Sequence, residues 1–353
     1  MIRFYLVCFL VFQFLYSNSQ IPTGYYNSAQ GLTGIPLKQA LHNIIKNHNS
    51  VSYSSLWSYF QQTDKKANGK VWDMYSDNPN GTPPYEYTYT SDQCGSYSGE
   101  GVCYNREHSW PQSWFNSNSP MVSDLFHLYP TDGYVNGKRG DNPYGNVGSV
   151  TWTSLNGSKL GYCNFPGYTG LVFEPIDEYK GDLARTYFYM SVRYYTEDGS
   201  WLTNDMVIKS DIKDWALKNL YEWHLADTVS QKEIDRNNKV YGIQNNRNPF
   251  IDHPEYVEMV WNTILGIQNH NENVYSFKLF PNPTTDNVNI SINSKIDFSS
   301  AKINIYNNLG QKVSNSIIQE KNSKIDVSYL PKGFYLVSIT IDDANYFERL
   351  FIE

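Results

Sequence analysis

Residues 105–111 read Asn-Arg-Glu-His-Ser-Trp-Pro, residues 127–130 read His-Leu-Tyr-Pro, and residues 131–139 read Thr-Asp-Gly-Tyr-Val-Asn-Gly-Lys-Arg. The stretch sets a carboxylate beside a histidine, with an asparagine further on. A one-metal phosphodiesterase needs that set. In a strand, neighbouring side chains point to opposite faces. Glu107 and His108 therefore cannot both bind one ion in a regular strand, but they can flank a reaction centre. Glu107 is expected to take the metal. His108 is expected to take the proton of an attacking water, a task that suits a histidine titrating near neutrality. Asn136 completes the protein ligands. Few protein ligands, all oxygen, with waters filling the rest, suit octahedral Mg²⁺. A phosphodiester gathers negative charge towards its transition state, and a cation on a non-bridging oxygen and the leaving 3′-oxygen stabilises that charge. A Glu-His pair alone is weak, because many histidines are structural. The Trp-Pro that follows and the downstream His, Asn and Arg sharpen the reading.

Around this stretch the chain divides into segments. Residues 1–19 read as a signal peptide: Arg3 supplies the positive start, Phe4 to Tyr16 an apolar run, and Ser17-Asn18-Ser19 the small residues before cleavage. The apolar run is too short to span a bilayer, and no later segment is long and apolar enough to do so. Residues 20–268 hold nearly all the Trp, His and Arg and are the catalytic candidate. Helical periods predict helices over 36–47, 51–60, 180–195, 205–225 and 254–265. Residues 68–170 are rich in Gly, Pro, Asn and Tyr and predict short strands and long loops. Residues 269–276 read as a linker. In residues 277–353, the runs 288–292, 302–307, 324–330 and 334–341 alternate with period two, which predicts a small antiparallel β-sandwich. The expected fold class is α+β, with a mixed helical and short-strand core and a small C-terminal sandwich.

The whole chain has 353 residues, a formal net charge of −7 and a pI near 5.5. That excludes nucleic-acid binding driven by the overall field, but not a local basic site. With the signal removed, three cysteines remain. Cys94 and Cys103 flank a short Gly/Ser loop and are expected to pair, as export permits. Cys163 is left over, either as a buried free thiol or because the pairing differs. The Tyr-rich stretch 84–89 is read as packing, residues 140–148 as turns, Asp252-His253 as a cap before the last helix, and Trp223-His224 as core.

Residues 105–111, Ser123 to Asp132 and Val135 to Gly140 together closely resemble the bacterial endonuclease I family, secreted or periplasmic nucleases of the ββα-metal (His-Me finger) type. Residues 181–185 with 188–190, and residues 246–250, look like the family's other recurring segments. The resemblance spans about residues 35–262. It implies non-specific cleavage of DNA, and of RNA too, with 5′-phosphate products. It implies His108 as general base, Glu107 and Asn136 as ligands of Mg²⁺ (with Mn²⁺ or Ca²⁺ able to substitute), and His127 as a brace behind them. Family members place an Arg between the His strand and the Asn helix to hold the product phosphate. This chain has no Arg or Lys between His108 and Asn136, so Arg139, Arg185 and Arg247 are the phosphate-binding candidates. For Arg193 and Arg236 a surface ion pair is expected. Residues 279–284, 306–311 and 330–335 resemble the type IX secretion sorting domain, which implies the type IX machinery as partner, an extracellular or cell-surface location, and removal of this domain. No stable protein partner is expected. The rival reading is a cell-surface binding or adhesin module without catalysis, which would not depend on Glu107, His108 or Asn136.

Overall fold

Leu37, Leu41 and Ile45 recur at helical spacing and form the buried stripe of α1 (Gly34–Ile45). The computed structural model describes residues 21–265, 275–294, 299–307, 311–341 and 344–353. The expected signal peptide and residues 269–274 of the expected linker lie outside the described residues. Among the described residues, no helix is long and apolar enough to cross a membrane. The chain falls into two units, Met1–Ile267 and Gln268–Glu353.

In the first unit, the helix expected over 51–60 starts later, as α2 (Leu56–Thr63), after a short turn capped by Ser52. β1 (Tyr104–His108) and β2 (Leu128–Asp132) form a two-stranded antiparallel sheet, with Glu107 opposite Tyr129 and His108 opposite Leu128. α3 (Gly133–Arg139) follows without a loop. The Asp132 carboxylate accepts the Val135 N–H at 2.7 Å, so one residue ends the strand and caps the helix. A second antiparallel sheet has the order β3 (Val147–Thr153), β4 (Lys159–Cys163), β5 (Leu171–Glu174). α4 (Lys180–Arg193) is the central helix, buried at every residue from Gly181 to Arg193. It packs against α1 and two later helices, α5 (Asp214–Ala226) and α7 (Pro249–Asp252). The expected helix over 205–225 begins instead as a hairpin of β6 (Val207–Ile208) and β7 (Asp211–Ile212), because Lys209 takes a left-handed φ of 56° at its turn. α6 (Gln231–Gln244) and α8 (Tyr256–Leu265) complete the unit.

Among the described residues, the second unit has two antiparallel sheets. One has the order β11 (Lys312–Ile318), β10 (Ala301–Tyr306), β13 (Gly333–Ile341), β14 (Ala344–Ile352). The other runs β12 (Asn322–Asp326), β9 (Asn287–Ser294), β8 (Tyr275–Phe280). Val288, Ile290, Ile303, Ile305, Val337 and Ile339 are buried in one cluster, as period-two alternation requires. Tyr275 pairs with Ser294, so β8 begins inside the stretch expected to be linker. The run 324–330 is strand only as far as Asp326.

The segment joining β1 to β2 is held down by one buried carboxylate. Tyr189 and Tyr194 each donate to Asp124 Oδ2 at 2.8 Å. Gln244 and the Phe126 N–H donate to Oδ1 at 2.9 and 3.0 Å. Burial alone would raise this acid, but His48, His127, Gln244 and the Phe126 N–H outweigh it and hold it at about 2. A carboxyl held below its unfolded value stabilises the fold above that value, here by roughly 2 kcal/mol, and loses the effect as pH falls towards 2. Asp124→Asn is expected to cost about 2 kcal/mol at pH 7. Urea denaturation should show the gap between variant and parent closing from pH 4 towards 2.

Candidate active site

Among the described residues only β2 pairs with β1 over residues 105–108, and Asn105 to His108, from both faces of the strand, border a cleft of about 350 Å³. Glu107, His108, Asn136 and Arg139 all line it, together with Asn105, Arg106, Tyr53 and Tyr97. The structure thus brings together the three residues expected to do chemistry.

On one face of β1 lies Glu107, 1 % exposed. Its Oε1 accepts from Tyr75 at 3.0 Å, Arg139 at 3.2 Å and Tyr144 at 3.3 Å. Every hydrogen bond that Glu107 accepts among the described residues falls on Oε1, which leaves Oε2 unengaged. Burial pushes this carboxyl above the usual range, against the pull of Arg139 and the two tyrosines. Two positions back, on the same face, Asn105 accepts from Asn136 Nδ2 at 2.7 Å. That bond orients the Asn136 amide, whose oxygen is the atom able to meet a cation. An unengaged carboxylate oxygen and an oriented amide oxygen are hard donors that fit Mg²⁺ with most of its waters retained. Among the described residues, no three His, Cys, Asp or Glu side chains cluster as metal ligands.

On the other face, His108 Nε2 meets the Val122 carbonyl at 3.1 Å. A carbonyl can only accept, so Nε2 carries the proton and the lone pair of the neutral ring sits on Nδ1. Tyr53 stacks on the ring at 5.9 Å and 22°, and His127 lies 5.5 Å away. Burial, with the neighbouring His127, takes His108 down to about 3. The sequence reading expected a value near neutrality; the buried ring is instead a neutral acceptor throughout the physiological range. His127 is fully buried and donates from Nε2 to the Met121 carbonyl at 2.7 Å. One turn, Met121–Ser123, thus fixes both histidines, and Asp124 anchors that turn.

The arginines differ from expectation. Arg185 is fully buried and forks onto Glu233 at 2.5 and 2.9 Å. Arg247 forks onto Asp252 at 2.6 and 2.8 Å. Neither lines the cleft, and neither has a fork to offer phosphate. Arg139 borders the cleft but is 1 % exposed and is spent on Glu107, the His108 and Ser109 carbonyls and Tyr187. Arg193 and Arg236 are ion-paired, as expected, but buried rather than at the surface.

Cys94 and Cys103 are disulfide-bonded, and Cys163 is a buried free thiol. The loop closed by this disulfide lays Tyr97 against α3. A Cβ at Gly133 would come 2.8 Å from the Tyr97 ring, and one at Gly137 would collide with its hydroxyl. Three contributors escaped the sequence reading: Asn105, Tyr75 and Tyr144. Asn105 had a signal, since period two places it on the face of Glu107.

A buried acid, a neutral histidine and an oriented amide thus meet on one strand–strand–helix element. Residues 33–255 match Endonuclease I, and residues 278–353 match the secretion system C-terminal sorting domain. The extracellular ribonuclease of Bacillus subtilis (strain 168) is 36% identical over 245 residues, covering 67% of this chain and 78% of that protein. The extracellular ribonuclease of Bacillus amyloliquefaciens is 37% identical over the same length and shares. Endonuclease-1 of Buchnera aphidicola subsp. Acyrthosiphon pisum is 27% identical over 132 residues, 37% of this chain and 45% of that protein. The chain belongs to the endonuclease I family: it is a secreted nuclease that ends in a sorting domain of the secretion machinery.

Nitrogen NMR on histidine-labelled protein should find His108 as the Nε2–H tautomer with a midpoint near 3. A midpoint near 6.5 in the folded protein would contradict this burial.

Proposed function

We propose that this chain is an endonuclease that hydrolyses phosphodiester bonds of DNA and RNA, with one bound Mg²⁺ and His108 as general base, leaving 5′-phosphate ends. The observation that carries the reading is the division of β1. Oε2 of Glu107 and the Asn136 amide oxygen are left open on one face, while Nδ1 of His108 is left as an unprotonated acceptor on the other. Glu107 and Asn136 would hold the ion, which supplies charge stabilisation at the phosphate when bound. Nδ1 of His108 takes the proton of a water attacking phosphorus. The P–O3′ bond breaks, the 3′-oxygen takes up a proton, and the phosphate stays on the 5′ end of the other fragment. Tyr75, Tyr144 and Arg139 hold Glu107 on Oε1, so its other oxygen would be free to bind the ion. His127 braces the element from behind. The names of the Bacillus ribonucleases support RNA as a substrate, and those of the Buchnera endonucleases support cleavage within a strand. Export by the segment 1–19, and removal of the C-terminal unit after passage, belong to the same proposal.

The test is a digest of plasmid and of RNA by the full chain. Cleavage is expected with Mg²⁺ and not with EDTA. His108→Ala is expected to lose about 10²- to 10⁴-fold in kcat with its fold intact by circular dichroism. End-labelling should find 5′-phosphates. Undiminished cleavage by His108→Ala would remove His108 from the role, and an inert wild-type protein would remove the function.

A further inference from the structure

Residues 20–268 contain six arginines, and five of them touch a carboxylate: Arg139 on Glu107, Arg185 on Glu233, Arg193 on Glu197, Arg236 on Asp64 and Arg247 on Asp252. Arg106 is the exception among the described residues. It makes no ion pair, although the protein is acidic and carboxylates outnumber cations. It lines the same cleft as Glu107, His108 and Asn136. Its guanidinium carbon lies 3.7 Å from the Tyr53 ring centre and 4.5 Å from that of Trp57. One nitrogen donates to the Tyr53 carbonyl at 2.9 Å, and that is the only hydrogen bond it makes among the described residues. The remaining N–H groups have no protein acceptor there. The other acid bordering the cleft, Asp141, is engaged by Ser113 at 2.6 Å.

Period two puts Arg106 on the His108 face of β1, and Tyr53 touches both: it carries the guanidinium and stacks on the imidazole. An aromatic shelf holds the guanidinium plane without neutralising it. The fork is thus fixed beside the base, charged, half-buried and without an anion. Phosphate oxygens match such a fork in geometry and charge.

We infer that Arg106, seated on Tyr53 and Trp57, is the residue of this chain that grips a phosphate of the nucleic-acid strand alongside the reaction centre. The assignment rests on the proposed nuclease mechanism and gives the cleft its anion-binding side. It replaces Arg139, Arg185 and Arg247, all spent on carboxylates.

The test uses the full chain. Activity of wild-type protein and its loss in His108→Ala establish the parent reading first. Arg106→Gln is then expected to lower kcat/KM about 10- to 100-fold, mainly through KM. Binding of a labelled single-stranded oligonucleotide is followed against salt in the His108→Ala background. Adding Arg106→Gln should reduce the slope of log K on log salt by about 0.7, one phosphate contact. Arg106→Lys keeps the charge and loses the fork, so it should restore the slope but only part of kcat/KM. Unchanged kcat/KM and slope in Arg106→Gln, with active wild-type protein, would overturn the inference alone. A drop in kcat/KM with an unchanged slope would make Arg106 a support for Tyr53 and overturn it too. Wild-type protein inert on nucleic acid would overturn both readings.

Discussion

A carboxylate that is 1 % exposed must be satisfied from inside the protein, and the site is arranged around that demand on Glu107. A buried acid left without donors would neutralise itself or unfold its surroundings. Here three donors converge on one of its two oxygens. They come from three separate segments: Tyr75 before β1, Arg139 at the end of α3, and Tyr144 after it. Meeting the demand therefore fixes the strand, the helix and the two loops relative to one another. Both terminal nitrogens of Arg139 are engaged by Glu107, two backbone carbonyls and Tyr187, which is why this buried cation cannot double as an anion clamp.

The same logic explains what the sequence shows and what it hides. Local signals are legible: the stripe of α1, the alternation of β9, β10 and β13, and the strand–strand–helix element with its motif residues. α6 is not legible by apolar periodicity, because its buried face is Glu233, Arg236, Asn237, Val240 and Gln244. Those polar groups are satisfied by Arg185, Asp64, Asn248 and Asp124, partners far away in sequence. Its capping box, Ser230 with Glu233, is a local signal that could have placed its start.

The site divides in the same way. That Glu107, His108 and Asn136 gather at one cleft was readable because their spacing belongs to one supersecondary unit. Tyr75 and Tyr144 reach Glu107 only through the tertiary fold, from a stretch that reads as turns and loops. Arginines misled most. A guanidinium inside a motif says nothing about whether a carboxylate waits for it. Asp252 is five residues from Arg247, but Glu233 is forty-eight from Arg185, and no local pattern connects them.

The pleat of β1 has a further consequence for how such a chain can vary. Adding or deleting one residue within 104–108 would turn Glu107 to the side now occupied by His108, exchanging the two side chains across the strand. Adding one within 133–137 would bring a side chain under Tyr97 where only hydrogen fits. Length is therefore locked in the strand and the helix. The freedom to lengthen or shorten lies between them, in the exposed stretch 116–119, ahead of the turn that serves both histidines. Evolution can lengthen the hinge of this instrument, but not its jaws.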